Sequence, residues 1–310
     1  MTLRIKLYKT VCFLILPALF SFLLSGCIGE SLEGCPLDIL LQFTYKPDGA
    51  SADLFRDRVQ RVTLCVYRTD GSIEHTRTLE KNELDRLQGV EMYLPQGTYT
   101  VVLWANASNT RTKLGGFIAG QTMNDLFASH PQAERSSTIP TLDRLLFAAA
   151  RLTVDEHNAK TNVVNFSPGT IRVGVLLEGI SLQPVVHITN MASALQPMYD
   201  ETASKWNLHS VVQGKRFDPE VTYEASTKRA EVFSDMPRFA ENTPGLVEII
   251  DPNTGVHIVP PISLADLIRR YHISIGPANE VIIPIQITFG PGYTRITIKD
   301  WQSQSVKPGV

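Results

Sequence analysis

Several features that mark enzymes or nucleic-acid-binding proteins are missing from this chain of 310 residues. Its seven histidines are scattered and never show the His-x-His or His-Glu-x-x-His spacing that builds a zinc site. No Gly-x-Ser-x-Gly elbow and no phosphate-binding glycine loop occurs, and no two carboxylates can be paired as acid and base. The formal net charge is only −2, so charge gives the chain no affinity for nucleic acid. We therefore expect a protein that is not an enzyme and has no metal, cofactor or small-molecule substrate.

Long hydrophobic runs are also absent, apart from one at residues 11–24. This run is shorter than the roughly 20 apolar residues of a membrane-spanning helix, and it contains Pro17. Basic residues precede it and small residues end it, which predicts a secretory signal peptide over residues 1–26. The tetrapeptide Leu-Ser-Gly-Cys that ends at Cys27 resembles the bacterial lipobox, so we expect Cys27 to be lipidated. Two or three acyl chains, such as palmitate, anchor a protein stably to a membrane.

Cysteine is scarce, with four in the whole chain. One lies within the predicted signal peptide and Cys27 is assigned to the lipid, which leaves Cys35 and Cys65. An oxidising compartment makes a disulfide between these two possible. The alternative is that Cys65 is a small apolar residue in the core.

Apolar and polar residues alternate along much of the chain, beginning at residues 37–45, where every odd position is apolar. A period of two marks a strand with one buried face. Residues 62–67 form a second predicted strand, and Asp70-Gly71 after it predicts a tight hairpin, because such turns need positive φ. Near the end of the chain, residues 281–289 alternate in the same way and precede a final predicted strand that reaches Trp301.

Helix is a minor component, predicted only as short segments at residues 80–87 and after the capping residues Thr122 and Ser263. Strands joined by turns in both halves predict an all-β protein of two tandem antiparallel β-sandwich domains with a few short helices. We place the domain boundary at residues 167–169, where Ser-Pro-Gly interrupts the pattern. The predicted segments are a signal peptide (1–26), a lipidated N-terminus and tether (27–35), an N-terminal sandwich (36–167), a C-terminal sandwich (168–303) and a tail (304–310).

The three tryptophans are the candidates for a carbohydrate-binding platform. Trp104 and Trp301 lie in or beside alternating strands, where packing into a core is the usual outcome. Trp206 lies in a more loop-like context, so it is the aromatic residue that we would expect to mark a ligand site.

Together these features resemble the fimbrial anchor lipoproteins of type V pili from the Bacteroides group. The resemblance is carried by the lipobox at Cys27, by Cys35 just before the first strand, and by Leu-Pro-Gln-Gly-Thr-Tyr-Thr-Val-Val-Leu-Trp-Ala-Asn at residues 94–106. The closing Ile-Pro-Ile-Gln-Ile-Thr-Phe and the Lys-Asp-Trp that ends at Trp301 extend it over nearly the whole chain after the signal peptide. Residues 192–233 show no landmark of the family.

The resemblance implies two transthyretin-like domains in tandem, lipid-anchored in the outer membrane at the base of a surface fimbria. It also implies that the protein holds the fimbria to the cell and limits its length. We expect it to engage a fimbrial subunit by β-strand addition, at the strand from Leu37 to Tyr45 or at the final strands from Val281 to Phe289 and on to Trp301. The alternative function is that of a surface glycan-binding lipoprotein, which is equally free of catalytic residues.

Overall fold

The computed structural model describes residues 37–155 and 161–298, and almost all of its regular structure is β-strand. The strands up to the predicted boundary are β1 (Leu37–Thr44), β2 (Arg61–Arg68), β3 (Ile73–Glu80), β4 (Gly89–Leu94), β5 (Gly97–Ala105), β6 (Lys113–Gly115), β7 (Phe127–Ser129), β8 (Thr138–Ile139), β9 (Leu146–Val154), β10 (Thr161–Asn165) and β11 (Ser167–Pro168). Those after it are β12 (Thr170–Glu178), β13 (Val185–Met191), β14 (Ala194–Asp200), β15 (Lys205–Val211), β16 (Lys215–Phe217), β17 (Val221–Glu224), β18 (Arg229–Pro237), β19 (Leu246–Ile250), β20 (His257–Ser263), β21 (Ile282–Gly290) and β22 (Tyr293–Ile298). The helices are α1 (Phe55–Arg58), α2 (Lys81–Arg86) and α3 (Leu264–Arg270).

The first sandwich consists of a three-stranded sheet, β10-β1-β4, packed against a five-stranded sheet, β11-β9-β5-β2-β3. Alternate residues of β1 are buried, which confirms the predicted period of two. Phe43 from β1, Phe55 from α1 and Phe166 meet in its core with ring centroids 5.7 Å apart. Gly71 adopts a φ of +81° in the turn between β2 and β3, which confirms the predicted hairpin.

The second sandwich packs the sheet β17-β18-β12-β21-β22 against the sheet β20-β19-β13-β16-β8. Helix α3 closes one side of its core, and the Ser263 hydroxyl accepts a hydrogen bond from the Asp266 N–H at 3.2 Å, as its capping position predicts. Most strand pairs are antiparallel, but β1 pairs with β10, β12 with β21 and β16 with β8 in parallel. These partners are far apart in sequence, because a parallel pair cannot be closed by a short hairpin.

Two strands from each half form an additional layer, the four-stranded sheet β15-β14-β7-β6. This sheet covers the outer face of the five-stranded sheet of the first sandwich, where Trp104 and Phe147 pack with ring centroids 4.8 Å apart. Residues 167–168, where the boundary is predicted, form β11, the last strand of the first sandwich, and the first strand of the second sandwich, β12, begins at Thr170. Strands β7 and β8 nevertheless pair with β14 and β16 across that boundary, an exchange that the sequence did not predict.

Candidate functional site

Strand β1, one of the two predicted strand-exchange edges, is the central strand of its sheet. It pairs with β4 from Leu37 and with β10 from Leu40 onward, and Tyr45 directly after it is fully buried. The expectation of a free edge between Leu37 and Tyr45 is therefore wrong for this chain. The reason is that β10, which lies more than 100 residues further along the chain, pairs with β1 in parallel. Local sequence gives no sign of such a long-range pair.

The other predicted edge comprises the two final strands, and of these only the second is an outer strand within the described chain. Strand β21 lies between β12 and β22, so Val281 and Phe289 flank or belong to an interior strand, and Val281 is only 6% exposed. Strand β22 is one of the two outer strands of this sheet within the described chain, and β17 is the other. Trp301 lies outside the described residues. The free edge of the final hairpin is thus β22, whose Tyr293 is 55% exposed.

Two of the outer strands, β3 and β22, differ in how they are protected. Strand β3 carries four charged or histidine side chains among eight residues, a composition that discourages pairing with another chain. Strand β22 carries only Arg295 among its six residues, with Ile296 and Ile298 half-buried against the core of the second sandwich. Strand β22 is therefore the better candidate for accepting a partner strand.

A cleft of about 730 Å³ separates the edge of β9 from the edge of β15, and we call it the β9–β15 cleft. It is lined by the consecutive residues 147–151 and 204–210, with a third wall from residues 238–240, Thr243, Ile275 and Pro277. Successive side chains of a strand point to opposite faces. A cavity that touches consecutive residues of both strands therefore runs along their edges, where backbone N–H and C=O groups are accessible.

Trp206 lies inside this cleft. The structure places it in β15, directly opposite Tyr199 of β14, and not in the loop that its sequence context indicated. The two rings have centroids 5.4 Å apart, and the Arg151 guanidinium lies 4.1 Å from the centroid of the Tyr199 ring. Trp104, by contrast, is fully buried, as its strand position predicted.

A cluster of charged side chains joins the two halves beside the cleft. The Glu280 carboxylate accepts from Arg144 at 2.5 Å and from Arg58 at 3.4 Å, and its side chain is 18% exposed. Next to it, the Arg172 guanidinium donates two hydrogen bonds to the Asp235 carboxylate, from Nε to Oδ1 at 3.0 Å and from Nη2 to Oδ2 at 2.6 Å. Burial lowers the pKa of the Arg144 guanidinium, and the nearby Glu280 carboxylate opposes this shift. We call Arg58, Arg144, Arg172, Asp235 and Glu280 the junction cluster.

Arg238 closes the third wall of the cleft. Its guanidinium donates to the backbone oxygens of Ile275 at 2.9 Å and Asn279 at 3.0 Å. Desolvation lowers the pKa of this guanidinium. Through these bonds to backbone oxygens, Arg238 holds the segment that leads to Glu280.

Among the described residues, Cys65 is the one cysteine. Cys27 and Cys35 lie outside the described residues, so lipidation and the Cys35–Cys65 disulfide stay predictions. Cys65 is fully buried in β2 with a free thiol, and burial raises the pKa of that thiol. Its side chain belongs to the cluster on the outer face of the five-stranded sheet, whereas β1 packs on the inner face.

Two further findings concern the described residues alone. Among residues 37–155 and 161–298, no three histidine, cysteine or carboxylate side chains come together as a metal site would require. In the same part of the chain, no helix has the length and apolar character to cross a membrane.

Comparison with solved structures shows the same fold in several proteins. A candidate adhesin from Bacteroides ovatus superposes with a TM-score of 0.64 at 14% identity, covering 85% of this chain and 93% of its own. A candidate polysaccharide-binding protein from Bacteroides thetaiotaomicron gives 0.63 at 16% identity, with 86% and 100% covered. The fimbrial anchor protein Mfa2 from Porphyromonas gingivalis gives 0.59 at 15% identity, with 82% and 91% covered.

The sequence comparison identifies the family. No curated protein matches the chain. The family model of the fimbrillin-A associated anchor proteins Mfa1 and Mfa2, however, matches residues 32–307. This is a family of fimbrial anchor and adhesin proteins and not a family of enzymes. The match covers both sandwiches and the layer between them, and it confirms the resemblance that the sequence motifs indicated. The chain belongs to the Mfa2 family of fimbrial anchor proteins.

Proposed function

We propose that this protein is an outer-membrane lipoprotein that holds a fimbria to the cell surface and limits its length. The observation that carries the proposal is the family match, which begins at residue 32, five positions after the lipobox cysteine Cys27. A protein that consists of β-sandwiches and carries a lipid at one end of the chain can connect a fibre to the membrane without any catalytic group. Its partners are then the membrane, through the lipid on Cys27, and a fimbrial subunit.

The fimbrial subunit joins by β-strand addition at β22. An outer strand presents a row of unpaired N–H and C=O groups, and a strand from a partner completes them with many main-chain hydrogen bonds. Strand β22 supports this role because it has few charges and because the half-buried Ile296 and Ile298 continue the core of the second sandwich.

The lipid anchor is tested by replacing Cys27 with alanine in cells that make the fimbria. We expect Cys27→Ala to abolish lipidation and to release both the protein and its fibres into the medium. The matched control is Cys12→Ala, which makes the same replacement within the predicted signal peptide. Retention of unlipidated Cys27→Ala protein in the outer membrane would contradict the proposal. Fibres of cells that lack the protein should be longer and should be shed, which electron microscopy measures.

Strand addition is tested with two proline variants in β22, Thr294→Pro and Arg295→Pro. Neighbouring residues of an outer strand direct their N–H groups to opposite sides, so one proline removes a bond to β21 and the other a donor on the free edge. We expect the variant with the free-edge proline to fold, to stay in the membrane and to lose the fimbrial subunit on purification. Retention of the subunit by that folded variant would exclude β22 as the docking edge.

A further inference from the structure

We propose that the β9–β15 cleft binds an anionic oligosaccharide, with Trp206 as the surface on which a sugar ring stacks and Arg151 and Lys205 as partners of its negative charge. This activity is separate from anchoring and does not depend on it.

The dimensions and the lining of the cleft suit an oligosaccharide. Its volume of about 730 Å³ lies within the 300–1,000 Å³ that is usual for ligand sites. Amide side chains of Asn165, Asn207 and Gln213 line it from three separate segments. Each amide offers both a donor and an acceptor, as a sugar hydroxyl does. The accessible strand edges add backbone donors and acceptors along the same walls.

The aromatic part of the cleft is held in place from one side. Tyr199 packs against the indole of Trp206, and Arg151 packs against Tyr199, which makes a cluster of three side chains from β9, β14 and β15. The Trp206 side chain is half-buried and lines the cleft. A supported aromatic ring at a cleft wall presents a flat apolar face beside polar groups, which matches a sugar ring with its apolar C–H face and polar rim.

The charge of the cleft selects a negative ligand. Arg151, Lys205 and His209 are exposed at its wall, and none of the described lining residues is a carboxylate. The carboxylate closest to Arg151 belongs to Glu201, at 3.9 Å with its side chain 83% exposed, a pair that contributes little. Asp200 lies across from Lys205, but its carboxylate accepts two backbone N–H bonds of the following turn. The cationic side chains are thus left for a ligand.

A peptide strand is the other occupant that two strand edges could take, and the cleft favours it less. The β9 edge is covered by β11 at Leu146 and Phe147, so only residues 148–151 of β9 line the cleft with an unpaired edge. Four residues span about 13 Å, which is short for a stable added strand. The rest of the lining comes from residues 204–210 and from side chains of the third wall.

The experiment measures binding of the whole chain after the signal peptide to four charged probes by calorimetry: trigalacturonate, a hyaluronan hexasaccharide, sialyllactose and a heparin tetrasaccharide. Each is measured beside a neutral counterpart, such as methyl-esterified trigalacturonate or lactose. We expect at least one charged probe to bind at least 10-fold more tightly than its counterpart. Trp206→Ala should weaken this binding at least 10-fold and Arg151→Gln about 3-fold to 10-fold, whereas Tyr93→Ala, at an exposed aromatic outside the cleft, should leave it unchanged.

A second variant protects the test against misfolding. Trp206→Phe keeps an aromatic face with less area, so it should bind more weakly than the wild type and more tightly than Trp206→Ala. The proposal is overturned if no probe binds, if the neutral counterparts bind equally well, or if Trp206→Ala binds like the wild type. It is also overturned if purified fimbrial subunit, and not the oligosaccharide, protects the amides of β9 and β15 from hydrogen exchange.

Discussion

Replacing Glu280 with glutamine should weaken the connection between the two halves of the protein. Glu280 is the only carboxylate of the junction cluster that contacts both Arg58 and Arg144, and its side chain is 18% exposed. The Arg144 side chain is 30% exposed and already carries a desolvation cost that lowers its pKa. Without Glu280, three guanidinium groups would share the single carboxylate of Asp235.

The expected loss follows from the two contacts. The short contact with Arg144 is a hydrogen bond between charged groups, which contributes about 1.5–3 kcal/mol. The longer contact with Arg58, whose side chain is 40% exposed, adds about 0.2–1 kcal/mol. We expect Glu280→Gln to reduce the free energy of unfolding by about 2–4 kcal/mol and to lower the urea midpoint by about 1 M. Urea unfolding of the whole chain, followed by tryptophan fluorescence and circular dichroism, measures both.

The matched control is Glu201→Gln, the same substitution at a carboxylate that is 83% exposed and 3.9 Å from Arg151. It should cost less than about 0.5 kcal/mol, as expected for an exposed pair. A double-mutant cycle of Glu280→Gln with Arg144→Gln should show a coupling of about 1 kcal/mol or more, because the two side chains contact each other. Equal losses for Glu280→Gln and Glu201→Gln, or no coupling, would refute the reasoning.

Three further predictions concern stability and thiol chemistry. Gly179→Ala should destabilise the protein by more than Gly214→Ala, although both glycines have positive φ, because only at Gly179 would the new Cβ lie 2.3 Å from a backbone oxygen; thermal unfolding compares them. Desolvation lowers the pKa of His130 below its ordinary value of 6.5, because the buried site favours the neutral imidazole. The stability that neutral His130 contributes is therefore complete above pH 6.5 and is lost as the pH falls below that value. His130→Asn should therefore flatten the fall in stability between pH 7 and pH 5, and an unchanged slope would contradict this. For the possible disulfide, denatured non-reduced protein should show an alkylated thiol at Cys65 by mass spectrometry, since this thiol is free in the structure; protection of both Cys35 and Cys65 from alkylation would show that the pair is bridged.

Local sequence was sufficient for most individual strands. The alternation at residues 37–45 gave β1 within one residue, and Asp70-Gly71 gave the hairpin between β2 and β3. The capping residues Thr122 and Ser263 each begin a short helical segment. These features depend on neighbours within a few positions, because strand period, turn conformation and helix capping are all local properties.

The position of a strand within its sheet could not be predicted from local sequence in the same way. Residues 37–45 carry the pattern of a half-buried strand whether β10 covers one side or leaves it open. The sequence therefore left the edge open between β1 and the two final strands, and in the structure β1 and β21 are interior strands whereas β22 is an outer one. Only the parallel pairs, made by segments far apart in sequence, decide which strands have a free edge.

The sequence alone determined that the chain is an all-β protein, and its motifs indicated the family to which it belongs. The tertiary structure decided which edge is free and how the two halves interlock. It also created the β9–β15 cleft, for which the sequence offered Trp206 as the single sign. The cleft joins Arg151, Tyr199 and Trp206 with residues up to Pro277, more than 120 positions apart. Side chains so distant meet only because sheets from both halves pack on each other, and burial of apolar faces, not local propensity, drives that packing.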